Sequence, residues 1–222
     1  MASLLTAGPF SATNAEGREL YADVRLEVEH GRFVLLSGAS GSGKSTLLRQ
    51  VAGLHRAEGA RRTLGDTEYG RGELCRWRAR VTLLAQDAPM LLGGTIEDNL
   101  GFPFRLGPAS KPYDAEQARG LLERVGLGEL EPTRDASSLS GGERHRLGLV
   151  RGLLWDPEVL LADEPLSGVD AECAAQCLAL LRAQARRADR SVVCVLHEPG
   201  LAAAAEPDLR LILADGRLEP SP

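Results

Sequence analysis

The sequence predicts an α/β fold: a mostly parallel β-sheet core with an α-helical segment inserted into it. Three observations carry this. Residues 32–37, 81–85, 159–162 and 191–196 are short, continuous apolar runs, the pattern of strands buried on both faces of a parallel sheet. The first run passes through a glycine-rich turn into residues 45–52, a helical stretch that Gly53 can close. Between Asp87 and about Trp155 the pattern changes, with Gly and Pro punctuating stretches of helical period.

Element by element, residues 21–28 read as a strand running into a turn at Gly31, within a small antiparallel region near the N-terminus. Residues 115–125 and 142–154 read as the helices of the insertion. Residues 171–188, rich in Ala, Leu, Gln and Arg, read as the crossover between the last two parallel strands. The expected division is a core of residues 1–86 and 156–222 around a helical subdomain of residues 87–155.

Composition narrows the function. With 222 residues, 43% hydrophobic and 26% charged, the chain suits one ample core. A net charge of −5 argues against a nucleic-acid partner. Arg182, Arg186, Arg187 and Arg190 follow an apolar stretch at helical spacing and read as a solvated helix face. No apolar run approaches the roughly 20 residues of a membrane span, and Met1-Ala2-Ser3-Leu4-Leu5 lacks the basic region of a signal peptide. The expected location is therefore cytoplasmic, with any membrane role supplied by a partner. Cys75, Cys173, Cys177 and Cys194 lack the paired spacing of a zinc site and are expected to pack as small hydrophobes.

Gly38-Ala39-Ser40-Gly41-Ser42-Gly43-Lys44-Ser45 lies between a strand and a helix and matches the phosphate-binding P-loop. Its glycines let backbone N–H groups approach phosphate oxygens, Lys44 reaches the β- and γ-phosphates, and Ser45 binds Mg²⁺. Thr46 follows within the same helix start. An apolar strand ending in Asp163-Glu164 supplies a second carboxylate pair: Asp163 for the Mg²⁺ shell and Glu164 as a general base. Leu139-Ser140-Gly141-Gly142-Glu143 has the form of a helix N-terminus and could stand alone as a capping box.

Together with the P-loop, that pentapeptide resembles the signature motif of the ATP-binding cassette (ABC) family. The resemblance covers nearly the whole chain and implies a P-loop NTPase core of RecA-like type. It implies that Ser140, Gly141 and Gly142 bind the γ-phosphate of ATP held by another subunit. It further assigns Gln86 to the glutamine that contacts Mg²⁺ or water, Ser167-Gly168-Val169-Asp170 to the loop preceding the crossover helix, and His197 to a γ-phosphate contact. For the aromatic that stacks on adenine it leaves Phe10 or Tyr21. Phe10 is favoured, because Tyr21 begins an apparent strand and is expected to be core packing.

The resemblance implies an Mg-ATP hydrolase that pairs head to tail with a second copy of itself or a homologous cassette. Its further partner is a separate transmembrane permease docking near residues 86–106, which would hold the chain on the cytoplasmic face of the inner membrane. Residues 91–96 and 98–103 resemble a small bacterial group of iron- or metal-export ATPases. The alternative is a soluble ABC ATPase serving a partner such as a cluster-assembly scaffold.

Overall fold

A computed structural model describes residues 3–87, 89–106, 109 and 111–221. Its strands form two sheets. A six-stranded sheet runs β10(Arg217–Ser221), β9(Leu209–Ala214), β3(Phe33–Ser37), β8(Ser191–Val195), β7(Val159–Asp163), β6(Val81–Leu84). All neighbours are parallel except β10 against β9. A second, antiparallel sheet runs β2(Glu19–Glu29), β1(Ser3–Thr13), β4(Arg61–Leu64), β5(Thr67–Glu68).

The central strands are apolar throughout because each has two faces to bury. Phe33, Leu35, Leu160, Ala162, Val192 and Cys194 point into one core. The alternate residues Val34, Leu36, Val159, Leu161, Val193 and Val195 point into the other. This is the period-2 pleat of a strand buried on both sides. The second core is closed by the antiparallel sheet and α1(Lys44–Val51), with α2(Leu74–Arg80) adding Trp77, whose indole donates to Val51 O at 2.8 Å.

The first core is closed by α5(Gly141–Trp155) and α6(Ala171–Ala185) and continues into the inserted helices α3(Ile96–Gly101) and α4(Ala115–Arg124). The insertion thus shares a core with the sheet instead of owning one. A seventh short helix, α7(Pro199–Ala204), precedes β9.

The crossover helix stops at Ala185, three residues before its expected end, and its arginines are not a free solvated face. Arg187 and Arg190 bind Asp156 at 2.6 and 3.2 Å, and Arg186 binds Asp208 at 3.2 Å. Cys177 and Cys194 are buried, Cys173 is half-buried and Cys75 exposed, all as free thiols; burial pushes the Cys177 thiol up to about 12. Among the described residues no helix is long and apolar enough to cross a membrane.

Candidate functional site

Because β3, β6, β7 and β8 are parallel, their C-terminal ends share one edge of the sheet, where open α/β sheets bind ligands. Four segments of the chain are delivered there: Gly38–Thr46 after β3, Gln86 after β6, Asp163–Glu164 at the end of β7 and His197 after β8. Gly38 has φ 145°, and a Cβ there would lie 2.5 Å from Leu213 O, so only glycine fits between the loop and β9. Ser40 and Gly41 are exposed at the loop tip, and Gly43 caps α1 from the left-handed region.

Lys44 is 6% exposed, its Nζ donating to the carbonyls of Gly38 and Ala39 at 2.9 Å each. Burial lowers its pKa, while the charges of Glu164 and Asp163 pull the other way. Ser45 Oγ donates to Asp163 Oδ1 at 3.1 Å. The other oxygen, Asp163 Oδ2, is buried with no hydrogen-bond partner, a costly state for a carboxylate that a cation would relieve. Among the described residues no cluster of three or more His, Cys, Asp or Glu side chains gathers to hold a metal. This donor set of a hydroxyl and a carboxylate suits Mg²⁺, which takes few protein oxygens and completes its shell with phosphates and water.

Glu164 is a non-glycine residue at φ 51°, the kind of strain that persists where the surroundings over-determine it. Its carboxylate is held from both sides: Gln86 Nε2 donates to Oε2 at 3.2 Å, and His197 Nε2 lies 2.9 Å from Oε1. The backbone joins in, with Glu164 N donating to Val195 O at 3.2 Å. An oxygen base so oriented, beside the Asp163 carboxylate and a buried ammonium, can activate water against a phosphate.

Ser140, Gly141 and Gly142 are not at this edge. They open α5 and line a separate cleft with residues 167–170. The capping box is real: Glu143 N donates to Ser140 Oγ at 3.3 Å and Ser140 N donates to Glu143 Oε2 at 2.7 Å. A Cβ on Gly142 would sit 2.7 Å from Gly168 O, so the start of α5 is pressed against this loop. Asp170 caps α6, accepting from Cys173 N at 3.0 Å.

Phe10 is a correction. It is 1% exposed, pairs with Val24, and lies under the Arg62 guanidinium, 5.6 Å from its ring centre, so it has no face for adenine. The register of β1 slips on both sides of Phe10. Tyr21, expected in the core, is fully buried, and its hydroxyl donates to Gln50 at 2.9 Å.

A family profile described as ABC transporter matches residues 21–167. The chain belongs to the ABC transporter family. It is 37% identical over 194 residues to a methionine import ATP-binding protein of Paraburkholderia xenovorans, an alignment covering 85% of this cassette and 50% of that protein. It is 36% identical over 200 residues to a phosphonates import ATP-binding protein of Hyphomonas neptunium, covering 86% and 77%. The cassette thus spans half the length of the first relative and about three quarters of the second.

Among solved structures it is similar to a dimeric ATP-binding cassette in a post-hydrolysis state with ADP and Pi, with TM-score 0.83 and 23% identity, covering 97% and 96% of the two chains. A bacterial Atm1-family ABC exporter with ATP bound matches at TM-score 0.81 and 24% identity, covering 97% of this chain and 38% of that one. These likenesses establish the fold of the cassette.

Sequence reasoning passed over His145. Its ring nitrogens lie 2.5 Å from Ser167 O and 2.6 Å from Gln86 O. The only signal was its place on the signature helix, five residues after Ser140.

Proposed function

We propose that this chain binds and hydrolyses Mg-ATP as one half of a head-to-tail pair and drives a separate membrane-spanning partner. The carrying observation is the clamped carboxylate of Glu164 between Gln86 and His197, beside the Ser45–Asp163 pair and Lys44. Lys44 and the N–H groups opening α1 would hold the β- and γ-phosphates, with Ser40, Gly41, Gly43 and Thr46 shaping the loop. Ser45, Asp163 and Gln86 would hold Mg²⁺, which neutralises phosphate charge when bound. Glu164 takes the proton of the attacking water as its oxygen bonds to the γ-phosphorus and the bond to ADP breaks; His197 keeps Glu164 aimed.

The reading of a pair is supported by the separate cleft, where Ser140, Gly141 and Asp170 are exposed and Gly142 half-buried. Their helix-start N–H groups suit a phosphate held by a second copy.

For the membrane partner, a groove beside the region near 86–106 supports the reading. An apolar groove of about 340 Å³ lies between β6, α2, α5 and this region, with Leu84, Pro89, Pro103, Leu106, Leu149 and Trp155 among its walls. It suits a short apolar helix of a permease, which would place the chain at the cytoplasmic face of the membrane. Phe104 is not on this groove: it packs between Tyr113 and Trp155, at ring distances of 5.7 and 5.5 Å.

The stretch 91–103 supports metal export as the cargo reading. The relatives named for methionine and phosphonates import favour uptake of a small polar solute instead. Purified chain should hydrolyse ATP only with Mg²⁺, and Lys44→Ala should abolish this. Failure of either result rejects the enzyme reading. Co-purification from detergent extract with an integral membrane protein separates a permease from a soluble scaffold. Vesicle transport in each direction with metal ions, methionine or phosphonates then reads the cargo.

A further inference from the structure

Among the described residues His145 has no hydrogen bond to Glu164 or the P-loop, yet it closes a ring of contacts around the proposed base. One ring nitrogen faces the carbonyl of Gln86, whose side-chain amide donates to Glu164 Oε2 at 3.2 Å. The other faces the carbonyl of Ser167, whose backbone N donates to the carbonyl of Glu164 at 3.2 Å. Carbonyl oxygens only accept, so the ring nitrogen that carries the proton donates to the carbonyl it faces, while the other ring nitrogen packs against the second carbonyl. Both segments that His145 holds therefore end on Glu164, one on its carboxylate and one on its backbone.

The same side chain belongs to α5, the helix that begins with the exposed Ser140–Gly142 cleft. His145 lines both that cleft and the apolar groove beside β6. Half-buried between the two openings, it is where α5, the loop after β6 and the loop after β7 meet.

We propose that His145 is a positioning residue for hydrolysis. It locks the Gln86 and Ser167 backbones to the signature helix, so that Glu164 is aimed only when α5 is seated against the core. A shift of α5, driven from the groove or from the cleft, would pull the Gln86 amide off the carboxylate. The inference rests on the reading of Glu164 as the base of an ATPase.

Three substitutions separate positioning from mere packing. His145→Phe keeps the ring volume and removes both ring nitrogens. In His145→Gln the amide nitrogen falls near the place of Nε2 and restores the tether to Gln86. In His145→Asn it falls near Nδ1 and restores only the tether to Ser167. Steady-state ATPase of the purified chain should show kcat reduced about tenfold or more in His145→Phe, with KM for ATP within about twofold, the pattern of an interaction that matters in the transition state and not in binding. His145→Gln should recover most of that loss and His145→Asn less.

An unchanged kcat in His145→Phe overturns the proposal. So does a loss in which KM and melting temperature move together with kcat and Gln gives no recovery. Should His145→Phe fail to fold, the comparison of Gln with Asn decides, and equal activity in those two overturns it. Absence of ATPase activity in the wild-type chain would reject the enzyme reading itself and this proposal with it. A wild type that hydrolyses ATP while the variants match it rejects the role of His145 alone.

Discussion

Glu164 shows how much a single residue here depends on its neighbours. Its backbone sits at φ 51°, its two carboxylate oxygens meet Gln86 and His197, and its charge opposes the effect of burial on Lys44. Replacing it with Gln keeps the shape and the amide–oxygen contacts but removes the proton acceptor. Glu164→Gln should leave ATP binding within a few-fold and lower kcat by about 10²–10⁴, the ordinary worth of a general base. Nucleotide titration beside a steady-state assay checks both halves, and near-normal turnover would move the base elsewhere.

At the scale of elements, α5 and the aromatic cluster beneath the insertion matter most. The α5 N-terminus is held by the reciprocal Ser140–Glu143 bonds, and the backbone bond from Ser140, followed by its side chain, holds the Glu143 carboxyl below its ordinary value of 4.5. A carboxyl whose pKa is lowered by folding contributes stability above its unfolded pKa and loses it as pH falls through the folded value. Amide protection in the first turn of α5 should therefore be intact near neutrality and fall as pH drops below about 4.5, the ordinary value. Glu143→Ala should remove the pH dependence from that turn while leaving the rest of the molecule protected.

The aromatic cluster makes a different forecast. Phe104 is wedged between Tyr113 and Trp155, so Phe104→Asp should destabilise the fold by about 3 kcal/mol or more, the scale of losing a packed aromatic. A denaturant melt reads this. Leu106 is 47% exposed at the groove, and Leu106→Asp should leave the melt and the basal ATPase unchanged while reducing capture of the membrane partner.

For the whole molecule, the decisive feature is that the P-loop edge and the start of α5 lie apart within one copy. The sheet edge gathers Lys44, Ser45, Asp163, Glu164, Gln86 and His197, while Ser140, Gly141 and Gly142 open onto a separate cleft. If two copies share each nucleotide, Ser140→Arg should spare ATP binding by the monomer and block closure. Size-exclusion chromatography in the Glu164→Gln background, with ATP and Mg²⁺, should give a dimer that the added Ser140→Arg converts to monomer. A dimer that persists in the double variant would place the interface on another face. With an isologous arrangement the two sites are equivalent, so one substitution removes both.

Sequence by itself determined the strands that carry the site, because apolar runs of four to six residues leading into Gly38, Gln86, Asp163 and His197 suit strands buried on both faces of a parallel sheet. It also pointed to the P-loop and the acidic pair as the proposed site, because residue type and spacing carry that signal. Strands β1, β4, β5, β9 and β10 were less legible: their faces are half exposed or their register slips, so no clean period marks them. Only the tertiary structure decided that Phe10 faces inward, because its burial depends on how β1 pairs with β2 and on the Arg62 guanidinium that lies over its ring. It alone showed that His145 joins Gln86 to Ser167, residues 59 and 22 positions away in the chain. Contacts of that range depend on how α5 seats against the sheet, which no local pattern of residues encodes.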